Sequence, residues 1–258
     1  VDAAVKLIAG DVQKVAPPPP MPRRRVAFAA VAEDEFGLPE ERAFDEFHLY
    51  TLPRPVRVRN NELKQVEFLR APGVKGSRTY VYNPLVGYGY YGGGINTDSD
   101  YGLTAEKKVG VRIEISNSET NGLGVPLPKG RMRLYRTDVD GRREFTGENQ
   151  MDHLPKNELL KLDMGNAFDL VGERKRMDFK VDTTGKTMTE TFAITLRNRK
   201  EKDAVEIRAV EPLYRGANWK IASSSLPYEK IDSHLVEFRV PVPADGETIL
   251  TYTVNYRW

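Results

Sequence analysis

The sequence predicts an all-β protein: a two-lobed antiparallel β-sandwich with an immunoglobulin-like C-terminal lobe and an extended N-terminal arm. Three observations carry this reading. Apolar residues alternate with polar ones over most of the chain beyond Phe44, the period-two pattern of strands buried on one face. Turn signals such as Asn121-Gly122, Asp140-Gly141 and Asp245-Gly246 punctuate the alternating runs. The 258 residues are 40% hydrophobic and 29% charged, enough for a real core and too apolar for a disordered chain. The expected divisions are an arm and proline-rich linker over 1–43, a first β lobe over 44–172, and an immunoglobulin-like lobe over 173–258.

The arm opens with Val5, Ile8, Val12 and Val15 at helix-like spacing. A short helix or ragged strand lying on the main body satisfies that spacing, as does the stump of a longer helical region. Gly10 weakens the helical alternative. Pro17-Pro18-Pro19-Pro20 fixes an extended spacer ahead of Arg23-Arg24-Arg25. Val26 to Ala32 is apolar enough to add to a sheet edge. Leu38-Pro39-Glu40-Glu41-Arg42 reads as the start of one helical turn, because proline is tolerated in a first turn.

In the first lobe Phe47 and Leu49 alternate with polar neighbours, as do Val56 and Val58, then Val66 and Phe68; Asn60-Asn61 marks a turn. Thr79 to Tyr82 is β-branched and aromatic. Residues 83–102 read as a long flexible loop rich in glycine and tyrosine. Gly87, Gly89 and Gly92 match G-x-G-x-x-G in form only, since no helix follows them. Tyr88, Tyr90, Tyr91 and Tyr101 can stack and hydrogen-bond, so they are the candidate ligand-binding residues. Asn96, Asp98 and Asp100 resemble the first three ligands of a calcium loop, with hard oxygens at alternate positions. Glycine does not follow Asp100 directly and the twelfth position is Lys107, so no cofactor is expected and calcium is the one ion with a partial ligand set.

Val111, Ile113 and Ile115 form the next half-buried row. In the following hairpin Met132 and Leu134 face one way, and Arg131, Arg133 and Tyr135 the other. Leu159, Leu160, Leu162 and Met164 follow Pro155 and end at Gly165-Asn166. Beyond Gly172 the inward rows are Met177, Phe179 and Val181; Phe192, Ile194 and Leu196; Val205 and Ile207; Trp219 and Ile221; and Val236, Phe238, Val240 and Val242. The last row, Leu250, Tyr252, Val254, Tyr256 and Trp258, has the cleanest alternation.

The catalytic inventory is empty. Cysteine is absent, which excludes disulfides, thiolate catalysis and cysteine-ligated zinc. His48, His153 and His234 have no ligand-spaced partners. There is no G-x-S-x-G elbow, and Gly185-Lys186-Thr187 lacks the first glycine of a phosphate loop. Carboxylates fall mainly on polar strand faces; Asp178 and Glu190 could meet across a hairpin, on solvated surface. A net charge of +2 does not describe a dedicated nucleic-acid surface, and no apolar run is long enough to span a bilayer.

The strand Leu127-Pro128-Lys129-Gly130-Arg131-Met132-Arg133-Leu134-Tyr135 resembles one in the bacterial domain-of-unknown-function family 4139. So do His153-Leu154-Pro155-Lys156 and the run from Leu162 through Asn166 to Leu170. The resemblance covers about 44–258 and implies a C-terminal β domain of an extracytoplasmic protein, behind a helical region. It carries no catalytic residues. Val1 in place of methionine is read as a processed or truncated start, and the resemblance implies a periplasmic, cell-surface or secreted protein. The expected role is non-catalytic: structure or protein–protein interaction, with a protein partner or self-association. The alternatives are a carbohydrate-binding module using the tyrosine loop, and a hydrolase or its accessory domain.

Overall fold

The computed structural model describes residues 2–10, 40–52, 55–57, 59, 62, 65–89 and 94–258. In chain order the strands are β1 Asp2–Ala3, β2 Lys6–Ala9, β3 Glu40–Phe44, β4 Phe47–Thr51, β5 Val56–Arg57, β6 Gly76–Tyr82, β7 Lys108–Ser116 and β8 Gly130–Thr137. They continue as β9 Arg143–Met151, β10 Leu159–Asp182, β11 Thr187–Asn198, β12 Val205–Pro212, β13 Trp219–Ser224, β14 Tyr228–Lys230, β15 Leu235–Val242 and β16 Gly246–Arg257. One 3₁₀ turn, Glu119–Asn121, is the helical element among the described residues. The chain is an all-β sandwich protein, as its periodicity predicts.

Two compact units interleave in sequence. One comprises Val1–Ser77 and Glu114–Lys161, the other Arg78–Ile113 and Leu162–Trp258. The border expected between residues 172 and 173 falls inside β10.

In the first unit β4 is the centre of a three-stranded sheet, β2-β4-β3. The arm therefore supplies strands: β2 and β3 both pair antiparallel with β4, where a helix or ragged strand and a helical turn were expected. Residues 11–39, with the polyproline spacer, the arginine run and the apolar segment 26–32, lie outside the described residues. Leu49 and Tyr50, on opposite faces of β4, are both buried, and the Tyr50 hydroxyl donates to the Pro126 carbonyl at 2.6 Å. The expected strand at Val66 and Phe68 is irregular backbone, yet Phe68 still packs edge-on against Tyr50 at 5.0 Å. Burial pushes the Tyr50 hydroxyl up to about 12, and the nearby Glu41 charge adds to that shift.

The same unit carries a two-stranded ribbon, β8-β9, whose base is closed by reciprocal bonds between Leu127 and Leu154. Fully buried Asn117 ties that base together. Its amide donates to Val125 and Pro155, each at 2.8 Å, and its side-chain oxygen accepts from Gly124.

The second unit is built on a nine-stranded sheet in the order β13-β16-β11-β10-β7-β6-β12-β15-β14. β10-β11, β11-β16, β13-β16, β12-β15 and β14-β15 pair antiparallel, whereas β6 and β12 pair parallel, with Ile207 beside Tyr80. Strands β13 and β14 stand at opposite ends of that order, yet only residues 225–227 separate them in sequence. The sheet therefore folds over on itself. Phe238 of β15 meets Tyr252 of β16 at 5.5 Å across the interior. Leu250, Tyr252, Val254 and Tyr256 are all at most 1% exposed, and burying each such side chain stabilises by roughly 1.5–3 kcal/mol before entropy. Trp258, past the strand end, is 37% exposed.

Two irregularities distinguish β10 from its sequence pattern. Gly165 takes a left-handed φ of 86° without ending the strand, which runs 24 residues. A bulge between Arg176 and Asp178 changes the phase. Met177, expected inside, is 59% exposed as the extra residue, while Phe179 and Val181 still pack on the core.

Candidate functional site: a tyrosine-lined segment fastened by buried arginines

The inward rows of three strands each contain a charge. In β11 the buried residues are Met188, Glu190, Phe192, Ile194, Leu196 and Asn198. In β12 and its extension the odd-numbered row runs Ile207, Ala209, Glu211, Leu213 and Arg215. In β10 the inward row runs Leu170, Gly172 and Arg174. Alternation forces these charges into the core because their neighbours must face it. Glu190, Glu211 and Arg215 are 0% exposed.

The charges pair as they must in such surroundings. Arg215 meets Glu190 through two bonds, Nε at 3.2 Å and Nη2 at 2.8 Å. Arg176 adds a longer contact to Glu190 at 3.5 Å. Arg174 donates to Glu211 at 2.9 Å, and the Tyr252 hydroxyl donates to the same carboxylate oxygen. The Arg174 guanidinium carbon lies over Phe192, 3.7 Å from the ring centre. Burial works against the Arg174 charge, but Glu211, Tyr252 and Tyr214 outweigh it and hold the group well above the usual arginine range. Tyr252 is pushed well up by burial and by the Glu211 charge, and Tyr214 is pushed up by burial and by Glu190.

The remaining arginine donors fasten the glycine-tyrosine segment. Arg215 Nη1 donates to the carbonyls of Asn96, at 3.2 Å, and Asp98; its Nη2 donates to that of Tyr101 at 2.9 Å. All five N–H bonds of this guanidinium are thereby used. Arg174 Nη1 reaches the Gly102 carbonyl at 3.1 Å. The Asn96 amide returns a bond to the Arg215 carbonyl at 2.9 Å. Gly102 has a φ of 74°, and a Cβ there would sit 2.4 Å from the Tyr214 hydroxyl, so the position requires glycine on both counts.

The sequence-predicted residues now have places. Tyr88 and Tyr101 come together with Tyr214 in an edge-to-face cluster, with ring centres 5.4–6.0 Å apart. Tyr90 and Tyr91 lie outside the described residues. Residues 94–102, expected as a flexible loop, are pinned to the core through their carbonyls. Asn96 and Asp98 use side-chain oxygens to cap the amides of Asp98 and Asp100, and Asp100 accepts from Ser99. The carbonyls of Asn96, Asp98 and Tyr101 face the Arg215 guanidinium. Among the described residues no group of three histidine or acidic side chains converges on a metal-sized point.

Sequence reading placed Glu190 on a solvated hairpin face opposite Asp178. It is paired in register with Phe179 and wholly buried. Glu190 and Glu211 are each taken by an arginine. No family model matches the chain, and neither a curated protein nor a solved structure matches it.

Proposed function

We propose that this chain is a non-catalytic, extracytoplasmic β-sandwich protein that holds a protein partner, with the β8-β9 ribbon as the contacting element. The observation that carries the reading is the ribbon itself. Among the described residues β8 and β9 form a two-stranded sheet of their own. Tyr135 and Phe145 are 55% and 56% exposed and touch edge-to-face at 5.7 Å, and Val139 at the tip is fully exposed. Strand β8 carries Arg131, Arg133 and Arg136 with no acidic residue. A single carboxylate, Glu148, serves both Arg131 and Arg133. An open strand edge with surplus positive charge and exposed aromatics suits an acidic, extended protein segment added as a third strand. A second copy pairing β8 with β8 would set arginines against arginines, which disfavours self-association through this edge.

The resemblance to the family of extracytoplasmic β domains supports the location. Among the described residues no helix is long and apolar enough to cross a membrane. Carbohydrate binding by the tyrosine segment is the second reading, and half-buried Tyr88 favours it. Tyr101 and Tyr214 already pack against each other and lie 5.6 and 5.3 Å from the Arg215 guanidinium, which leaves less ring face for a sugar.

The test is fluorescence anisotropy with two labelled ten-residue peptides of alternating β-branched residues, one carrying glutamates and one lysines. The acidic peptide is expected to bind at least about tenfold tighter, and the triple change Arg131→Ala, Arg133→Ala, Arg136→Ala to abolish that preference without lowering Tm, since these pairs are surface-exposed. Equal binding of both peptides, or a preference that survives the triple change, refutes the ribbon as the contact.

A further inference from the structure

Beside the parallel pair β6-β12 the surface opens into a cavity of about 410 Å³, within the range of small-molecule sites. Its walls carry Arg78, Tyr80, Lys200, Asp203, Glu206 and Arg208. The turn that forms one wall is held from within. Buried Asn198 donates to the carbonyls of Asp203, at 2.7 Å, and Pro243, at 3.0 Å, and its side-chain oxygen accepts the Lys200 amide at 3.0 Å. The Asp245 amide donates to the Lys200 carbonyl at 2.9 Å. Lys200 is thus fixed on both sides of its backbone before any ligand arrives.

The charges inside are unevenly spent. The Lys200 ammonium donates to the Tyr80 hydroxyl oxygen at 3.1 Å. That bond uses Tyr80 as acceptor and leaves its own O–H free to donate. Among the described residues neither Lys200 nor Arg78 has a carboxylate within ion-pair distance. Glu206 lies 4.0 Å from Arg239, and Arg208 lies 4.0 Å from Glu237. Asp203 is the remaining acid on the rim, so cations exceed acids by one. A half-buried ammonium with a neutral partner, beside a phenol able to donate and an arginine able to make a fork, is a receptor for an oxyanion.

We propose that this cavity binds a small molecule through a carboxylate or phosphate group, seated between Lys200, Arg78 and the Tyr80 hydroxyl. The site is independent of the ribbon. The test is a nitrogen-15 correlation titration of the full chain with inorganic phosphate and, separately, glucuronate. Saturable shifts are expected at the Lys200, Asp203 and Val205 amides. Lys200→Met is expected to weaken them at least about tenfold and Tyr80→Phe about threefold, the scale of one charged and one neutral hydrogen bond. Lys200→Met leaves the backbone bonds of the turn intact, and an unchanged spectrum away from the cavity checks this. Saturation by phosphate alone or glucuronate alone supports the site and names the group. Linear, unsaturating shifts with both probes, or saturation unaltered by Lys200→Met, overturn it.

Discussion

Arg215→Ala is expected to cost about 3–5 kcal/mol, the penalty for leaving a buried partner charge uncompensated. Tm should fall on the order of 10 °C for a chain of this size. Glu190 would keep only the 3.5 Å contact from Arg176. The carbonyls of Asn96, Asp98 and Tyr101 would also lose their donors, since one guanidinium serves all three. The second loss makes this site distinctive. Neutralising both members of an ion pair ordinarily recovers most of the damage, because no lone charge remains. Here the double change Arg215→Met with Glu190→Met should recover little, because the segment carbonyls stay unsatisfied. Thermal unfolding of the single and double variants measures this directly.

Glu211→Ala should be about as damaging by the same physics, again about 3–5 kcal/mol. The Arg174 cation would stay trapped over Phe192 without its carboxylate, and the Tyr252 hydroxyl would lose its acceptor. The opposite recovery is expected. Arg174→Met with Glu211→Leu removes both charges and leaves one segment carbonyl without a donor, so most of the loss should return. Denaturant unfolding with and without the compensating change provides the comparison. If both double variants recovered alike, the carbonyl contribution assigned to Arg215 would be wrong.

Much of this was legible in the sequence. The inward rows of β11, β15 and β16 follow the period-two pattern, and Asp245-Gly246 turns where expected. Glu190 and Glu211 were legible too: each stands in the same phase as apolar neighbours, Glu190 with Phe192 and Ile194, Glu211 with Ile207 and Ala209. A charge in that phase signals a buried partner, and reading carboxylates as surface residues passes over it. What the sequence could not supply is which cation meets which anion. Glu190 and Arg215 are 25 residues apart, and the segment they fasten lies more than 110 residues before Arg215. The parallel β6-β12 pairing and the bulge that turns Met177 outward are likewise long-range outcomes. Residues 94–102 looked like a loop because glycine and polar residues dominate; what holds them is backbone carbonyl chemistry, which leaves no trace in side-chain pattern.

Buried arginines, acting through carbonyl oxygens, fix residues 94–102 onto the core. Native-state hydrogen exchange at the Asn96 amide, which donates to the Arg215 carbonyl at 2.9 Å, tests it most directly. Asn96 is expected to exchange as slowly as the core amides of Phe192 and Tyr252, with the same denaturant dependence, because all open in one unit. Exchange at the rate of a free peptide, while Phe192 and Tyr252 remain protected, would contradict it.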